Sequence, residues 1–242
     1  PSLTMTSIVN SPSSSFHQAH PMGMLISTFA ALSTFHPEAN PSLQSPDMYS
    51  KSEAVTNKQI FRILGKVITT AACAYRVRLG RPFNLPEPAD AATYTENFLS
   101  MMDRLSEPTY RSHPAFPVLL DRLFVALADD GMNSATGLLR HVASSKVDPY
   151  TAISAAFGAA YGARISGVGD AVLAMLAEIR TSSAVPTFVA AAKITHRRLQ
   201  GFGHLNYRAY DPRCRVVRQV ALEVAELVGP DPLLDVAMAQ EE

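Results

Sequence analysis

Histidine, cysteine and paired acidic or basic side chains are the residue types that could move a proton, hold a metal or attack a carbonyl carbon. The 242-residue chain has seven histidines and two cysteines. His17, His20, His36, His113, His141 and His196 show no metal-ligand spacing, so no metal site is expected. His204 stands apart, because it closes the glycine-rich run Gln200-Gly201-Phe202-Gly203-His204, and Asp211-Pro212-Arg213 follows it. An imidazole can give or take a proton near neutral pH, and a guanidinium offers a planar fork to a carboxylate. A plainer reading stands beside that one: a partly buried His204 steadying a glycine turn, and Arg213 as a surface residue in the first turn of a helix. Cys73 and Cys214 each fall inside a helical pattern and read as two reduced, packed thiols of an intracellular protein.

The elements that must position these residues read as helices. Ile60, Leu64, Val67, Ile68, Ala71, Ala72 and Tyr75 recur at the spacing of one helix face, which ends in the basic stretch Arg76-Val77-Arg78. Further helices are expected over Ala91–Asp103, Ala115–Asp129, Ser134–Ser145, Val168–Ile179 and Val185–Leu199, joined by short Pro-, Gly- or Ser-containing links. Asp148-Pro149 and Asp211-Pro212 each place an acceptor at an N-cap and a preset φ at the first helical position. Asp129, Asp130 and Gly131 read as a helix end, with Gly131 in the left-handed position. Met22, Met24, Met101 and Met102 read as core filler. No stretch alternates at period two with hairpin turns, so the expected fold is all-α with about nine or ten helices.

Composition removes several function classes. The chain is 47% hydrophobic and 17% charged with a formal net charge of zero, which suits a soluble globular protein with a sizeable core. Lys and Arg are scattered singly or in pairs, so neither nucleic acid nor an anionic membrane is an expected partner. No apolar run reaches the ~18–20 residues that span a bilayer, and the first residues lack a basic flank followed by an apolar segment. The chain starts at Pro1, which leaves room for an upstream leader. Pro1 to Gln18 is Ser-rich and reads as a loosely ordered lead-in.

The run from Gln200 to Arg213 resembles the signature of the citrate synthase family, G-[FY]-G-H, a few residues, then D-P-R. Other pieces follow in the family's order: Ala19-His20-Pro21-Met22, Ala74-Tyr75-Arg76 to Arg81-Pro82, Tyr94-Thr95-Glu96-Asn97-Phe98-Leu99, and Asp148-Pro149-Tyr150-Thr151-Ala152-Ile153. The resemblance covers about Ser15 to Ala225. It implies a multi-helical fold, with a large-domain portion over 19–147 and a small-domain portion over 148–242 that ends before the family's C-terminal segment. It also implies an acyltransferase that joins an acyl-CoA to a 2-oxo acid such as oxaloacetate, giving a citrate or an alkylcitrate. By motif position, His204 matches the histidine that polarises the keto group, and Arg213 matches an arginine that binds a substrate carboxylate. No permanently bound cofactor is implied: acyl-CoA enters as co-substrate, and no residue is assigned to it. Lys193, Arg197 and Arg198 lie where the family brings CoA phosphates near, yet a solvated helix face accounts for at least two of them.

The same resemblance marks what differs. The family's thioester-protonating histidine lies in a motif like G-P-L-H-G-G-A-N-E, whose counterpart runs from Gly162 to Asp170 and has Ile165 at the histidine position. That role is empty unless Arg164 or Ser166 turns inward. A second family histidine corresponds to Asp130, whose charge would repel a dicarboxylate. The family's catalytic aspartate belongs to a later segment that the chain does not contain, and Glu241 and Glu242 read as terminal solvated charges. Two functions therefore stand side by side. One is the condensing enzyme, with the apolar Ile165 and Val168 suiting a longer acyl chain. The other is a non-catalytic homologue that forms a homodimer, or a heterodimer with an active relative, as a regulatory partner. The expected compartment is the cytoplasm, with the mitochondrion kept open.

Overall fold

Pro21 presets the backbone angle of a first helical position, and the His20 ring nitrogen accepts the Met22 N–H at 3.2 Å. In the computed structural model this opens α1, Pro21–Phe35. The structure describes residues 19–88, 91–107, 110–203, 207 and 209–241. Among them every regular element is helical, in agreement with the all-α expectation. The described residues form two compact units: the chain up to Pro117 together with Asp130–Tyr161, and Val118–Asp129 together with the chain from Gly162 onward.

In the first unit, α1 is followed by a 3-10 turn at Pro37–Ala39, the short α2 (Met48–Lys51), the long α3 (Glu53–Arg78), α4 (Tyr94–Asp103), α6 (Ser134–Ala143) and α7 (Pro149–Ala160). Helix α5, Ala115–Ala126, begins here and lies mostly in the second unit. Helix α7 packs on α1 and α6 within the first unit. Met24, Leu25, Thr28, Phe29 and Leu32 are the buried stripe of α1. The Phe29 ring meets Phe157 of α7 edge-on, with centroids 5.1 Å apart. Asp148 caps α7 as its sequence suggests, accepting the Tyr150 and Thr151 N–H groups at 3.0 Å each. Its second oxygen accepts Ser33 Oγ of α1 at 2.9 Å and Thr151 Oγ1 at 2.7 Å. Tyr150 is wholly buried and donates to Gln59 of α3 at 3.0 Å, so α7 is tied to both neighbours by polar contacts inside an apolar core.

Helix α3 buries the later part of the face its apolar periodicity suggests, with Val67 and Ala71 packed against the core, but not the earlier part. Ile68 and Ala72 are interior, but Ile60, Phe61 and Leu64 are exposed, and Gln59, Thr70 and Ala74 face inward. Small side chains admit α1 closely, and the buried polar Gln59 has its partner in Tyr150. Arg76, expected as part of a basic helix end, is fully buried. Its guanidinium donates to the carbonyls of Pro82, of Met102 (2.8 Å) and of Arg104 (2.9 Å). These last two are carbonyls at the C-terminal end of α4, where a cation suits the helix dipole. Helix α4 itself starts at Tyr94 and not at Ala91, because Thr93 and Glu96 form a reciprocal capping box.

The second unit packs α8 (Ser166–Ile179), a 3-10 turn at Ser182–Ala184, α9 (Val185–Ile194) and α11 (Pro232–Glu241) around Met175, Leu176, Ile179, Val185 and Val236. Between α9 and α11 runs α10, Arg213–Val228. Helix α9 stops five residues short of Leu199, because His196 takes a left-handed φ of 53° and the Arg197 N–H returns to the Ala192 carbonyl at 2.9 Å. Helix α11 has no counterpart in the sequence reading. Among the described residues no single helix is long and apolar enough to cross a membrane. Helices α8 and α9 approach that length only as a pair bent by 91°.

The Tyr150–Gln59 bond is testable as a cycle. Tyr150→Phe leaves a buried amide oxygen unpaired and is expected to destabilise the fold by ~1–3 kcal/mol in urea unfolding. The double change Tyr150→Phe with Gln59→Leu is expected to recover most of that loss, because neither partner is then left unsatisfied.

Candidate functional site

The glycine run ahead of α10 is built from backbone conformations that side chains resist. Gly201 and Gly203 have φ of 85° and 84°. A Cβ on Gly201 would also meet Val172 Cγ2 of α8 at 3.1 Å, so the turn is pressed against that helix. His204, the expected catalytic histidine, lies outside the described residues, as do Leu205, Asn206 and Arg208.

Arg213, expected at a substrate carboxylate, is the first residue of α10. Its side chain is about one-fifth exposed and is held by Asp211: Nε lies 3.1 Å from both carboxylate oxygens and Nη2 lies 2.7 Å from Oδ2. Tyr207 adds an aromatic face, with its ring centroid 5.8 Å from the guanidinium carbon. The expected N-cap at Asp211 shifts by one: Pro212 occupies that position, while Asp211 still caps the end through the Arg213 N–H at 2.9 Å. Asp211 and Tyr207 are thus contacts of Arg213 that motif reading alone did not single out. The D-P-R spacing was the available signal, since a proline between acid and base bends the chain so that the two side chains meet.

Ile165 immediately precedes α8 and is 42% exposed, with no side-chain cap on the helix. Arg164 is exposed, and the side chain of Ser166 lies outside the described part. An alkyl group therefore stands where the motif comparison places a proton donor. Asp130 is in the link between α5 and α6, where it accepts Asn133 Nδ2 at 3.4 Å, and Asn133 caps α6 through the Thr136 N–H at 2.9 Å. Gly131 has a φ of 58°, as its sequence suggests, although α5 already ends at Ala126 and not at Asp129.

Lys193 and Arg198 are exposed, as a solvated face would have them. Arg197 is off the end of α9, pairs with both oxygens of Glu178 at 2.7 and 2.6 Å, and covers the Phe188 ring. That pairing holds the Glu178 carboxyl below the usual carboxylate range. Glu241 is not a loose terminal charge. It accepts the Tyr210 hydroxyl at 2.7 Å, a bond that raises the Tyr210 pKa, and it accepts Arg218 at 3.3 Å, while Glu242 lies outside the described residues. Tyr210, Arg215, Arg218, Gln219, Leu222 and Glu241 line a shallow, open groove along α10. Among the described residues no three His, Cys, Asp or Glu side chains gather as a metal ion would need. Cys73 is buried, and burial pushes its thiol up to about 11, whereas Cys214, expected to be packed, is exposed.

With this geometry in place, residues 5–242 match the family described as "Citrate synthase, C-terminal domain". The peroxisomal citrate synthase of Dictyostelium discoideum is 50% identical over 221 residues, which are 91% of this chain and 44% of that protein. The glyoxysomal citrate synthase of Cucurbita maxima is 48% identical over 225 residues, covering 93% of this chain and 43% of that protein. The chain thus spans less than half the length of these curated relatives. A citrate synthase from the archaeon Thermoplasma acidophilum, solved with carboxymethyl coenzyme A and oxaloacetate, superposes with a TM-score of 0.82 at 20% identity. All of this chain and 58% of that one are covered, a likeness of fold.

Two measurements check the local picture. Gly201→Ala is expected to lower stability by ~1–2 kcal/mol in thermal unfolding, and adding Val172→Ala relieves only the contact, because the left-handed backbone strain remains. A thiol reagent is expected to label Cys214 in the native protein and Cys73 only in denaturant, read by peptide mass mapping.

Proposed function

The chain belongs to the citrate synthase family, and from that membership we propose that it carries the 2-oxo-acid half of an acyl-CoA condensing site. The observation behind this reading is the left-handed glycine turn at Gly201 and Gly203 leading to the Arg213 fork at the start of α10. A 2-oxo acid such as oxaloacetate offers a carboxylate to Arg213 and a keto oxygen to His204. Asp211 and Tyr207 hold the guanidinium in a fixed plane before any ligand arrives, which reduces the entropy lost on binding.

Condensation also needs the acyl-CoA to be enolised: a base takes the α-proton while a donor hydrogen-bonds to the thioester oxygen. The enol carbon then attacks the keto carbon, whose oxygen receives a proton from its own donor. Ile165 has no proton to give. The absence of one such group slows chemistry by ~10²–10⁴. The apolar Ile165 and Val168 suit an acyl chain longer than acetyl, so the product class we assign is an alkylcitrate. From the peroxisomal and glyoxysomal relatives, we also place the protein in such an organelle in preference to the cytoplasm.

A second reading has its own support. Val217, Leu222, Leu227 and Val228 of α10 are exposed apolar residues, and with Ile165 they fit a non-catalytic subunit that pairs with a copy of itself or with an active relative.

Calorimetric titration with oxaloacetate tests the first reading: binding is expected, and Arg213→Ala is expected to weaken it about tenfold or more, the size of a charge-assisted hydrogen-bonded pair. Loss of thioester absorbance with acetyl-, propionyl- and hexanoyl-CoA is expected to be slow, fastest with the longest chain, and accelerated at least tenfold by Ile165→His. Absence of oxaloacetate binding, together with a dimer in native mass spectrometry, would move the assignment to the second reading.

A further inference from the structure

His36 follows the last turn of α1 and precedes the 3-10 turn at Pro37–Ala39. Its imidazole lies flat on the buried Tyr150 ring, with centroids 4.9 Å apart and planes 22° from parallel. The side chain is 17% exposed. Nδ1 faces Glu38 Oε1 at 3.2 Å, while Nε2 is buried and has no hydrogen-bond partner among the described residues. That arrangement suits the neutral ring with its proton on Nδ1, donating to Glu38 and leaving only a lone pair at Nε2.

We propose that His36 is an acid-sensitive latch between α1, α3 and α7, which holds while the ring is neutral and loosens the first unit when Nε2 takes a proton.

The reason is what a second N–H would meet. At Nε2 it would be a buried donor without an acceptor. Glu38, from the 3-10 turn, is the nearby anion. It is already shared with Arg62 of α3, and that contact holds its carboxyl down at about 2, ionised throughout the range concerned. Arg62 and Lys66, both on α3, add positive charge that opposes a histidinium. From α7, the Tyr150 hydroxyl donates its proton to Gln59 and its oxygen is engaged by Arg62, and the Asp148 carboxylate already accepts four hydrogen bonds. Tyr49 of α2 donates to the Ala39 carbonyl and is itself shifted upward to about 12 by burial, so it remains neutral. Burial is the largest influence on His36 and lowers its pKa below 6.5, while the Glu38 hydrogen bond only partly offsets this.

The sign follows from proton counting. Below 6.5 the unfolded chain binds a proton that the folded ring resists, so stability falls as the pH drops from 6.5 to the folded pKa and is unaffected by this group above that window. Through Tyr150, the same protonation disturbs the cap of α7 and its bonds to α1 and α3.

Urea unfolding of the full chain, followed between about pH 7.5 and pH 5 against His36→Phe, tests this. Phenylalanine keeps the stacking and cannot titrate. The expected result is an unfolding constant that rises with acid in the parent protein by up to roughly tenfold per pH unit more than in the variant. Parallel pH profiles would overturn the proposal. Should the variant fail to fold, the ring resonances of His36 in the parent protein decide: a titration midpoint below 6.5 supports the latch, and one at or above 6.5 overturns it.

Discussion

A buried carboxylate with four donors holds the first unit together. Asp148 is 2% exposed, and two backbone amides and two hydroxyls converge on it. Such a charge in an apolar setting is tolerable only when its lone pairs are filled, and filling them demands that Ser33 of α1 and the first turn of α7 occupy fixed positions. The location at a helix N-terminus helps as well, because the free amides there carry the positive end of the dipole. Once this contact is made, Tyr150 is pointed into the core toward Gln59, and Phe157 falls two turns further along against Phe29. Apolar burial supplies most of the driving force, but the polar knot decides the register in which the helices bury their faces.

The same logic recurs with the opposite charge at the far end of α3. Arg76 is fully buried. It spends its donors on carbonyls, two of them at the end of α4, and Asn84 adds donors to the Met101 and Arg104 carbonyls. A helix C-terminus leaves such carbonyls without partners of their own, so a buried guanidinium and an orphaned helix end satisfy one another. Polar residues thus act as fasteners at both ends of α3, while Ile68, Ala72 and Met101 fill the space between.

The second unit uses a similar device at Arg213. Arg213 is restrained by a carboxylate two residues before it and by an aromatic face, so its fork is set by the local chain and not by distant packing. The glycine turn depends on tertiary contact as well, since Val172 of α8 leaves no room for a side chain on Gly201. Ile165 immediately precedes the same helix. Arg213 opens α10, and the position aligned by motif with a proton donor carries an alkyl group.

Much of this was readable from local patterns. The helical class, the cap at Asp148 and the left-handed Gly131 all follow from short-range chemistry, in which a side chain interacts with backbone a few residues away. The G-F-G-H to D-P-R run, and with it the family, likewise depended on residues adjacent in the chain. The tertiary structure decided what local pattern leaves open. Periodicity marks a face as apolar but does not say which neighbour will cover it, so Ile60 and Leu64 turned outward while Gln59 and Arg76 turned in. Helix ends moved for the same reason: α4 waits for its capping box and α9 stops at His196, where hydrogen bonds outweigh continued hydrophobic spacing. Glu241 looked like a free terminal charge until α11 folded back and set it beside Tyr210 and Arg218. Short-range order is encoded in neighbouring residues, but the partners of a buried polar group come from anywhere in the chain, and only folding brings them within bonding distance.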